Sequence, residues 1–288
     1  MPWRWFLICP LFCILPTTLV QAAEAVVLWN RNFDTAPVDK VLSLALRKTE
    51  DLFGAAEIVR SADMGPQQAL AKLAAGDELN VVSMATSPEA DANFYTLRFP
   101  ALQGLLGHRI CLIRQGDQAR FDAVATGYDL IQKKIAICQG ESWPDTQVLR
   151  RNGLQVITSP SYNELFNLLQ AGQCDCFLRG AQELVPEYRS HADSLAIEQH
   201  LVIHYFQPGV IYVNRQHPEL AARLELGLLR AWDDGSYQQL FDELLGEDLK
   251  LLDLPNRHYI PLNNPYLSGP AQLIQSLEPT WSMPTWTE

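Results

Sequence analysis

A short apolar segment followed by a polar turn carries the first residues that could do chemistry. The run at residues 135–138 shows no alternation, which is typical of a parallel strand covered on both faces. Glu141, Ser142 and Trp143 follow at the turn, and a predicted helix then runs to Gly153. A strand–turn–helix unit points backbone N–H groups at whatever lies above the carboxyl end of the strand. The pattern therefore predicts one wall of a ligand cleft between two α/β lobes, with an ordinary βα turn as the alternative.

Arg179 is the next candidate, because it follows a second strand-like run at residues 175–178. A guanidinium at the carboxyl end of a strand could bind a carboxylate or phosphate through a fork of N–H donors. The alternative is an ion pair with Glu183 one helical turn on. Trp143 also has two possible roles: it could stack on a ligand ring or pack on its own helix.

Strand-like and helix-like segments alternate along the chain and must position these residues. The predicted strands are residues 25–29, 56–60, 79–84, 108–114, 135–138, 154–158, 175–178, 201–206, 210–213 and 259–262. Ser161 with Glu164, and Ser236 with Gln239, have the spacing of helix capping boxes. The alternation predicts parallel sheets covered on both faces, and the length of 288 residues fits two such sheets better than one.

The composition sets limits on the partners. Hydrophobic residues make up 48% of the chain and charged residues 19%, which predicts a sizeable core. The net charge of −11 argues against nucleic acid and anionic membrane surfaces as partners, because their phosphates would repel the protein. A small anionic ligand stays open, because a cleft can hold local positive groups.

Residues 1–22 have the features of a signal peptide. Arg4 supplies the positive charge, residues 6–20 are mostly apolar, and Ala22 closes a small-x-small cleavage pattern. Export predicts a periplasmic protein in an oxidising compartment.

Four cysteines follow the predicted signal peptide: Cys111, Cys138, Cys174 and Cys176. An even count in an oxidising compartment permits disulfides. Buried free thiols are the alternative, and a pairing of Cys138 with Cys174 or Cys176 is preferred if a disulfide forms. No metal site is expected, because His200 and His204 lie on a predicted strand, which would hold them too far apart for one ion.

Three segments together resemble a known family. They are residues 135–142 (IAICQGES), residues 168–177 (LLQAGQCDCF) and residues 217–241, which include an HPELAAR segment and a DGSY segment. In order and spacing they resemble the extracellular solute-binding protein family 3, the polar amino-acid-binding type that serves ABC transporters.

The resemblance implies an α/β fold of the type II periplasmic-binding-protein class, with two mainly parallel sheets joined by a double hinge. Lobe one would hold residues 23–107 plus 206–262, and lobe two residues 108–205. The hinges would lie near residues 107–109 and 203–207. Residues 263–288 would form an extended C-terminal tail.

The resemblance also implies positions for ligand contacts in lobe one. A hydroxyl-rich loop there, which in the family binds a ligand carboxylate with an arginine, here contains Ser83, Thr86 and Ser87. Asp91 stands at the position of that arginine. Trp29 and Arg31 follow the first strand, where the family places an aromatic residue over the ligand.

In lobe two, Ser142 matches the anion-contacting hydroxyl of the family. The family's ammonium-binding aspartate is replaced by Arg179. Both charge anchors for a bound amino acid are thus missing or reversed, and the resemblance supports the fold better than an amino-acid ligand.

The leading functional expectation is a monomeric periplasmic binding protein without a cofactor. It would close on a small polar solute, anionic solutes included, and deliver it to an ABC permease or a membrane sensor. The first alternative is a dehydratase-like enzyme on the same scaffold, with Glu141 or Glu183 as general acid. The second is an interaction protein that no longer binds a solute.

Overall fold

The computed structural model describes residues 24–34, 37–76, 78–267 and 269–272. The predicted signal peptide and most of the predicted tail lie outside the described residues. Within the described part of that tail, residues 269–272 are helical rather than extended. The described residues include no helix that is both long and apolar enough to cross a membrane.

Strands and helices alternate much as the sequence predicts. The strands are β1 (Glu24–Leu28), β2 (Ala56–Arg60), β3 (Val81–Ala85), β4 (Tyr95–Leu97), β5 (His108–Arg114), β6 (Ala136–Gly140), β7 (Gln155–Ser159), β8 (Cys176–Gly180), β9 (Leu195–Ile197), β10 (Leu201–His204), β11 (Gly209–Val213) and β12 (His258–Pro261). The helices are α1 (Arg31–Asp34), α2 (Val38–Arg47), α3 (Glu50–Phe53), α4 (Pro66–Ala75), α5 (Pro88–Asn93), α6 (Gly127–Gln132), α7 (Pro144–Arg151), α8 (Tyr162–Gln170), α9 (Ala181–His191), α10 (Pro218–Asp233) and α11 (Ser236–Leu252).

Five strands form the sheet of the first lobe, in the order β2-β1-β3-β11-β4. β1 runs parallel to β2 and β3, whereas β11 is antiparallel to both of its neighbours. α2 and α10 pack against each other on this lobe, and their apolar side chains join the largest buried cluster. The carboxyl ends of β1 and β2 therefore point the same way, which brings the residues after them to one edge of the sheet.

Seven strands form the sheet of the second lobe, in the order β12-β10-β5-β8-β6-β7 with β9 beside β5. β6, β7 and β8 are parallel to one another, so the starts of α7, α8 and α9 meet at a common edge. β12 pairs with β10 in this sheet. The sequence-based assignment of its residues to lobe one is wrong, because the chain returns to the second lobe after α11.

Two crossover segments join the lobes, and they touch each other through their backbones. Tyr205 donates its N–H to the carbonyl of Gly107 at 3.2 Å. A Cβ at Gly107 would lie 2.5 Å from the carbonyl oxygen of Tyr205. Glycine is therefore required for this close approach of the two strands.

Two disulfides link the central strands of the second lobe. Cys138 pairs with Cys174, one of the predicted options, and Cys111 pairs with Cys176. The second pairing was not predicted, because nothing in the sequence shows that β5 lies next to β8. Both bridges are buried, so they fix three neighbouring strands from within the lobe.

The two predicted capping boxes are absent. Ser161 precedes α8 but makes no side-chain cap bond. Ser236 is the first residue of α11, and Gly235 caps this helix with a left-handed φ of 77°. The Ser236 hydroxyl instead donates to Asp234 at 2.6 Å.

Candidate functional site

A large cleft lies between the two lobes, where the carboxyl ends of parallel strands face each other. Its volume is about 1070 Å³. The first lobe contributes residues that follow β1 and β2 and the start of α2, and the second lobe contributes the starts of α8 and α9. The principal polar residues along it are Asn30, Arg31, Asp39, Lys40, Asp63, Tyr162, Gln182, Glu183, Glu187 and Asp248.

The second lobe's wall is backed by a buried guanidinium. Arg179 donates from Nε and Nη2 to the two carboxylate oxygens of Glu187, both at 2.7 Å. Its Nη2 also lies 3.1 Å from Oε2 of Glu183. Only 4% of the Arg179 side chain is exposed. The guanidinium is thus satisfied by two carboxylates of its own lobe.

Aromatic rings surround the same guanidinium. The Arg179 guanidinium carbon lies 4.8 Å from the ring centre of Trp143, 5.1 Å from that of Phe177 and 5.6 Å from that of Tyr162. Tyr162 donates its hydroxyl to Glu187 at 2.5 Å. Rings and carboxylates together form a cage around the guanidinium, and its Tyr162, Glu183 and Glu187 also line the cleft.

Burial changes the titration of this cluster. Loss of solvent raises the pKa of Glu183, against the opposing attraction of Arg179. Burial also raises the pKa of Tyr162, so the phenol stays protonated and acts as a donor. Although burial alone would lower it, the neighbouring Glu183 and Glu187 raise the pKa of Arg179 well above its usual value. The wall therefore holds a permanent cation beside a carboxyl group that takes up a proton more readily than usual.

Side chains of the two lobes meet across the cleft. The guanidinium carbon of Arg31, in the first lobe, lies 5.3 Å from the ring centre of Tyr162 in the second. On α9, Arg189 pairs with Asp248 of α11 at 2.7 Å. Residues of both walls are therefore close enough to contact one small molecule together.

The charges on the first lobe's wall are also paired. Lys40 lies 3.1 Å from Asp39. Arg60 bonds Asp34 at 2.5 Å and Asp63 at 3.0 Å. This wall therefore presents paired charges rather than charges of one sign.

Of the residues predicted for the first lobe, Arg31 lines the cleft and Trp29 does not. Trp29 is 7% exposed and packs in an apolar cluster with Met64 and Val82. Its indole N–H donates to the carbonyl of Met64 at 3.1 Å. The structure thus gives Trp29 a core position, and the following residue, Asn30, reaches the cleft in its place.

The three hydroxyl residues predicted to contact a ligand in the first lobe do not line the cleft. Ser83 lines a small cavity of about 40 Å³ at the crossovers. Thr86 donates to Asp91 at 3.0 Å. The Ser87 hydroxyl caps α5 by accepting from the N–H of Ala90 at 3.2 Å. Asp91, at the position of the family's arginine, is paired with Arg98 at 3.0 Å.

At the turn after β6, Glu141 and Ser142 are exposed and lie outside the cleft lining. Trp143 is half-buried and stacks on Phe177, with ring centres 6.2 Å apart. A Cβ at Gly140 would meet the Trp143 ring at 2.4 Å, so this glycine makes room for the indole. The structure thus brings Trp143 and Arg179 together behind the wall and leaves Ser142 apart from them.

Sequence reasoning missed Tyr162, Gln182 and Glu187. Tyr162 follows the carboxyl end of β7 by three residues, and the other two lie in the first two turns of α9. The sequence signal that could have found them is that all three follow a predicted strand. Among the described residues, no group of three or more His, Cys, Asp or Glu side chains is placed to hold a metal ion.

A second buried charge cluster joins the crossovers to the start of α7. Arg109 Nη2 lies 2.6 Å from Asp145 Oδ1, and the Tyr205 hydroxyl donates to the same oxygen. Burial alone would lower the pKa of Arg109, but the neighbouring Asp145 carboxylate raises it. Burial raises the pKa of Tyr205 well above its usual range. One residue from each crossover is thus held by a single carboxylate of the second lobe.

Solved structures match most of the described chain. An ancestral arginine-binding protein bound to arginine superposes with a TM-score of 0.57 at 15% identity, covering 78% of this chain and 98% of its own. This chain has the type II periplasmic-binding-protein fold. A Salmonella typhimurium periplasmic binding protein with high arginine specificity matches with a TM-score of 0.57 at 14% identity, covering 77% and 98% of the two chains.

A third match with this fold is the VFT2 domain of Bordetella pertussis BvgS, as a double mutant. Its TM-score is 0.55 at 17% identity, with 77% of this chain and 93% of that chain covered. No family model matches the sequence. No curated protein matches it in sequence either.

Proposed function

We propose that this protein is a periplasmic solute-binding protein that closes its two lobes on one small polar molecule. The observation that carries the proposal is the cleft of about 1070 Å³, to which both lobes contribute polar side chains at the carboxyl ends of parallel strands. A solute that contacts both walls favours the closed arrangement by its differential affinity for it. The matching arginine-binding structures support the same role.

The cleft supports a polar solute without a strong preference for anions. The expectation that anionic solutes are included depends on Arg179 as a clasp for a carboxylate or phosphate. That guanidinium is bonded to Glu187 and Glu183, so it does not support an anionic ligand. The alternative that Arg179 pairs with Glu183 fits the geometry.

Export and partners belong to the same proposal. Two buried disulfides support folding in an oxidising compartment, in agreement with the signal-peptide features of residues 1–22. An ABC permease or a membrane sensor would receive the closed, loaded form, and the protein would act as a monomer.

A thermal-shift screen tests the proposal. The panel should contain amino acids, organic acids and phosphorylated solutes. A ligand that binds only the folded protein stabilises it by RT ln(1 + c/Kd) at a free ligand concentration c, so the melting temperature keeps rising with the logarithm of ligand concentration above Kd. We expect at least one unmodified solute to give such a concentration-dependent rise. A flat response over the whole panel contradicts the proposal and favours the alternative of an interaction protein without a solute.

One observation favours a second candidate, an enzyme of the dehydratase kind. Glu183 lines the cleft, and burial raises its pKa, as a general acid requires. Glu141, the other candidate acid, is exposed and lies outside the cleft lining. Turnover of a prephenate-like acid that is lost in Glu183→Gln and kept in Glu141→Gln supports this candidate. Recovery of the panel solute unchanged after incubation argues against it.

A further inference from the structure

We propose that Arg179 is a built-in occupant of a guanidinium-binding cage, and that it thereby excludes cationic solutes from the second lobe's wall. Arg179 is in this sense a specificity-determining residue. The statement about solutes rests on the proposed function, whereas the cage itself can be tested without knowing the solute.

The cage has the chemistry of a cation site. Three aromatic rings lie within 4.8 to 5.6 Å of the guanidinium carbon. Ring faces attract cations most strongly where water is excluded, and a planar guanidinium matches a carboxylate through two parallel bonds. Glu187 provides such a paired contact, and Glu183 adds a third. A cationic ligand would find the same groups favourable, but they already hold a cation.

The cage opens toward the cleft rather than into the core of the lobe. Tyr162, Glu183 and Glu187 of the cage also line the cleft. Arg179 itself is a strand residue, at the carboxyl end of β8, and is 4% exposed. Shortening this side chain therefore leaves a cavity beside the cleft, walled by two carboxylates and aromatic rings.

Charge makes that cavity selective. With Arg179 in place, one cation faces two carboxylates. Without it, two mostly buried carboxylates are left with no counter-charge in the cage, which is unfavourable until a cation enters or protons bind. The vacated site should accept a small planar cation, because two adjacent oxygens of Glu187 are set for bidentate contact.

The test compares Arg179→Ala with wild type, using methylguanidinium at low millimolar concentration as the probe. Sodium chloride at the same ionic strength serves as the salt control. Arg230→Ala is the matched control variant, because Arg230 is 36% exposed, pairs with the carboxylate of Asp51 and is not among the residues that line the cleft. We expect a rise in melting temperature that grows with methylguanidinium concentration for Arg179→Ala alone. Wild type and Arg230→Ala should show no rise beyond that seen in sodium chloride.

A second variant tests the proposal in case Arg179→Ala alone does not fold. Arg179→Ala combined with Glu183→Gln removes one of the two buried charges and keeps the paired contact of Glu187. Folding of either variant that depends on methylguanidinium, and not on sodium chloride, also supports the cage. The proposal is overturned if neither variant gains any methylguanidinium-dependent stability, or if Arg230→Ala gains as much.

The outcome is independent of the solute screen. If the cage binds methylguanidinium in Arg179→Ala while the wild-type screen stays flat, the cage stands and the solute-binding proposal fails. If wild type binds a panel solute that carries an ammonium or guanidinium group, and the Arg179→Ala exchange does not improve that binding, the exclusion fails while solute binding stands.

Discussion

Arg109 is a buried cation whose position depends on one carboxylate. Its side chain is 3% exposed, and its ion pair with Asp145 lies where both crossovers meet the second lobe. Removal of one partner from a buried pair leaves the other charge without compensation, which costs about 3–5 kcal/mol. This makes Asp145 a better test of the hinge region than any exposed acid.

We predict that Asp145→Asn lowers the free energy of unfolding by about 3–5 kcal/mol, measured by urea denaturation. Glu247→Gln is the control, because the pair of Glu247 with Lys250 is largely exposed. The control should leave the urea midpoint unchanged. Equal midpoints for the two variants would show that the Arg109 pair does not stabilise the fold.

His204 gives the protein a defined response to acid. Burial, with a contribution from neighbouring His108, lowers the pKa of His204 to about 4, compared with about 6.5 in an unfolded chain. The unfolded state therefore binds more protons between these two values, and stability falls as the pH drops from about 6.5 to about 4. The rings of His108 and Tyr259 are the titratable groups that contact it.

We predict that His204→Gln flattens the pH dependence of the unfolding free energy between about pH 4 and about pH 6.5. The comparison needs urea curves at several pH values for both proteins. His200→Gln is the control, because His200 is 55% exposed and should leave the slope unchanged. A slope in His204→Gln as steep as in wild type would contradict the assignment.

At this scale the sequence predicts the positions of polar residues better than their partners. Arg179 could be placed at the end of a strand, because the apolar run before it marks that strand. Its partner Glu187 lies eight residues further on, and only the path of α9 brings it back. Trp29 also follows a strand, yet it turns into the core beside Met64, which no local pattern reveals.

At the scale of elements, the contact between α2 and α10 sets the frame of the first lobe. A Cβ at Gly227 would lie 2.1 Å from the carbonyl oxygen of Ala45, so the two helices approach at a position that only glycine allows. A Cβ at Gly246, in α11, would meet no atom within 4 Å. Both are helical glycines, and only the first has a packing reason.

We predict opposite signs for the two exchanges to alanine. Gly227→Ala should destabilise the protein by about 1–3 kcal/mol, because the helices must move apart. Gly246→Ala should stabilise it by up to about 1 kcal/mol through helix propensity. Urea denaturation of both variants checks this. A neutral Gly227→Ala would show that the helix contact is looser than described.

The elements themselves were largely predictable, whereas their pairing was not. Residues 56–60 and 108–114 were predicted with the observed bounds, because apolar runs that follow a glycine mark them. The position of β12 in the second sheet depends on a chain return after α11, and hydrophobic periodicity carries no information about such long-range pairings. For the same reason, the sequence did not predict the disulfide between Cys111 and Cys176.

In the molecule as a whole, two lobes, each built on its own sheet, are joined by short crossovers and enclose a polar cleft. The second lobe is fixed internally by two disulfides across β5, β6 and β8. The first lobe has no described disulfide, and its helices pack through a glycine contact. Relative motion is therefore expected at residues 105–108 and 204–209 rather than within either lobe.

The most direct test is the Kd of the best-stabilising solute, measured by titration calorimetry for wild type and two tryptophan variants. Asn163→Trp places bulk at an exposed position in the cleft, and Gln67→Trp does so in a separate groove on the outside of the first lobe. We predict that Asn163→Trp weakens binding at least tenfold, a loss of about 1.4 kcal/mol, while Gln67→Trp matches wild type. Unchanged binding in Asn163→Trp, or an equal loss in Gln67→Trp, would contradict the cleft as the solute site.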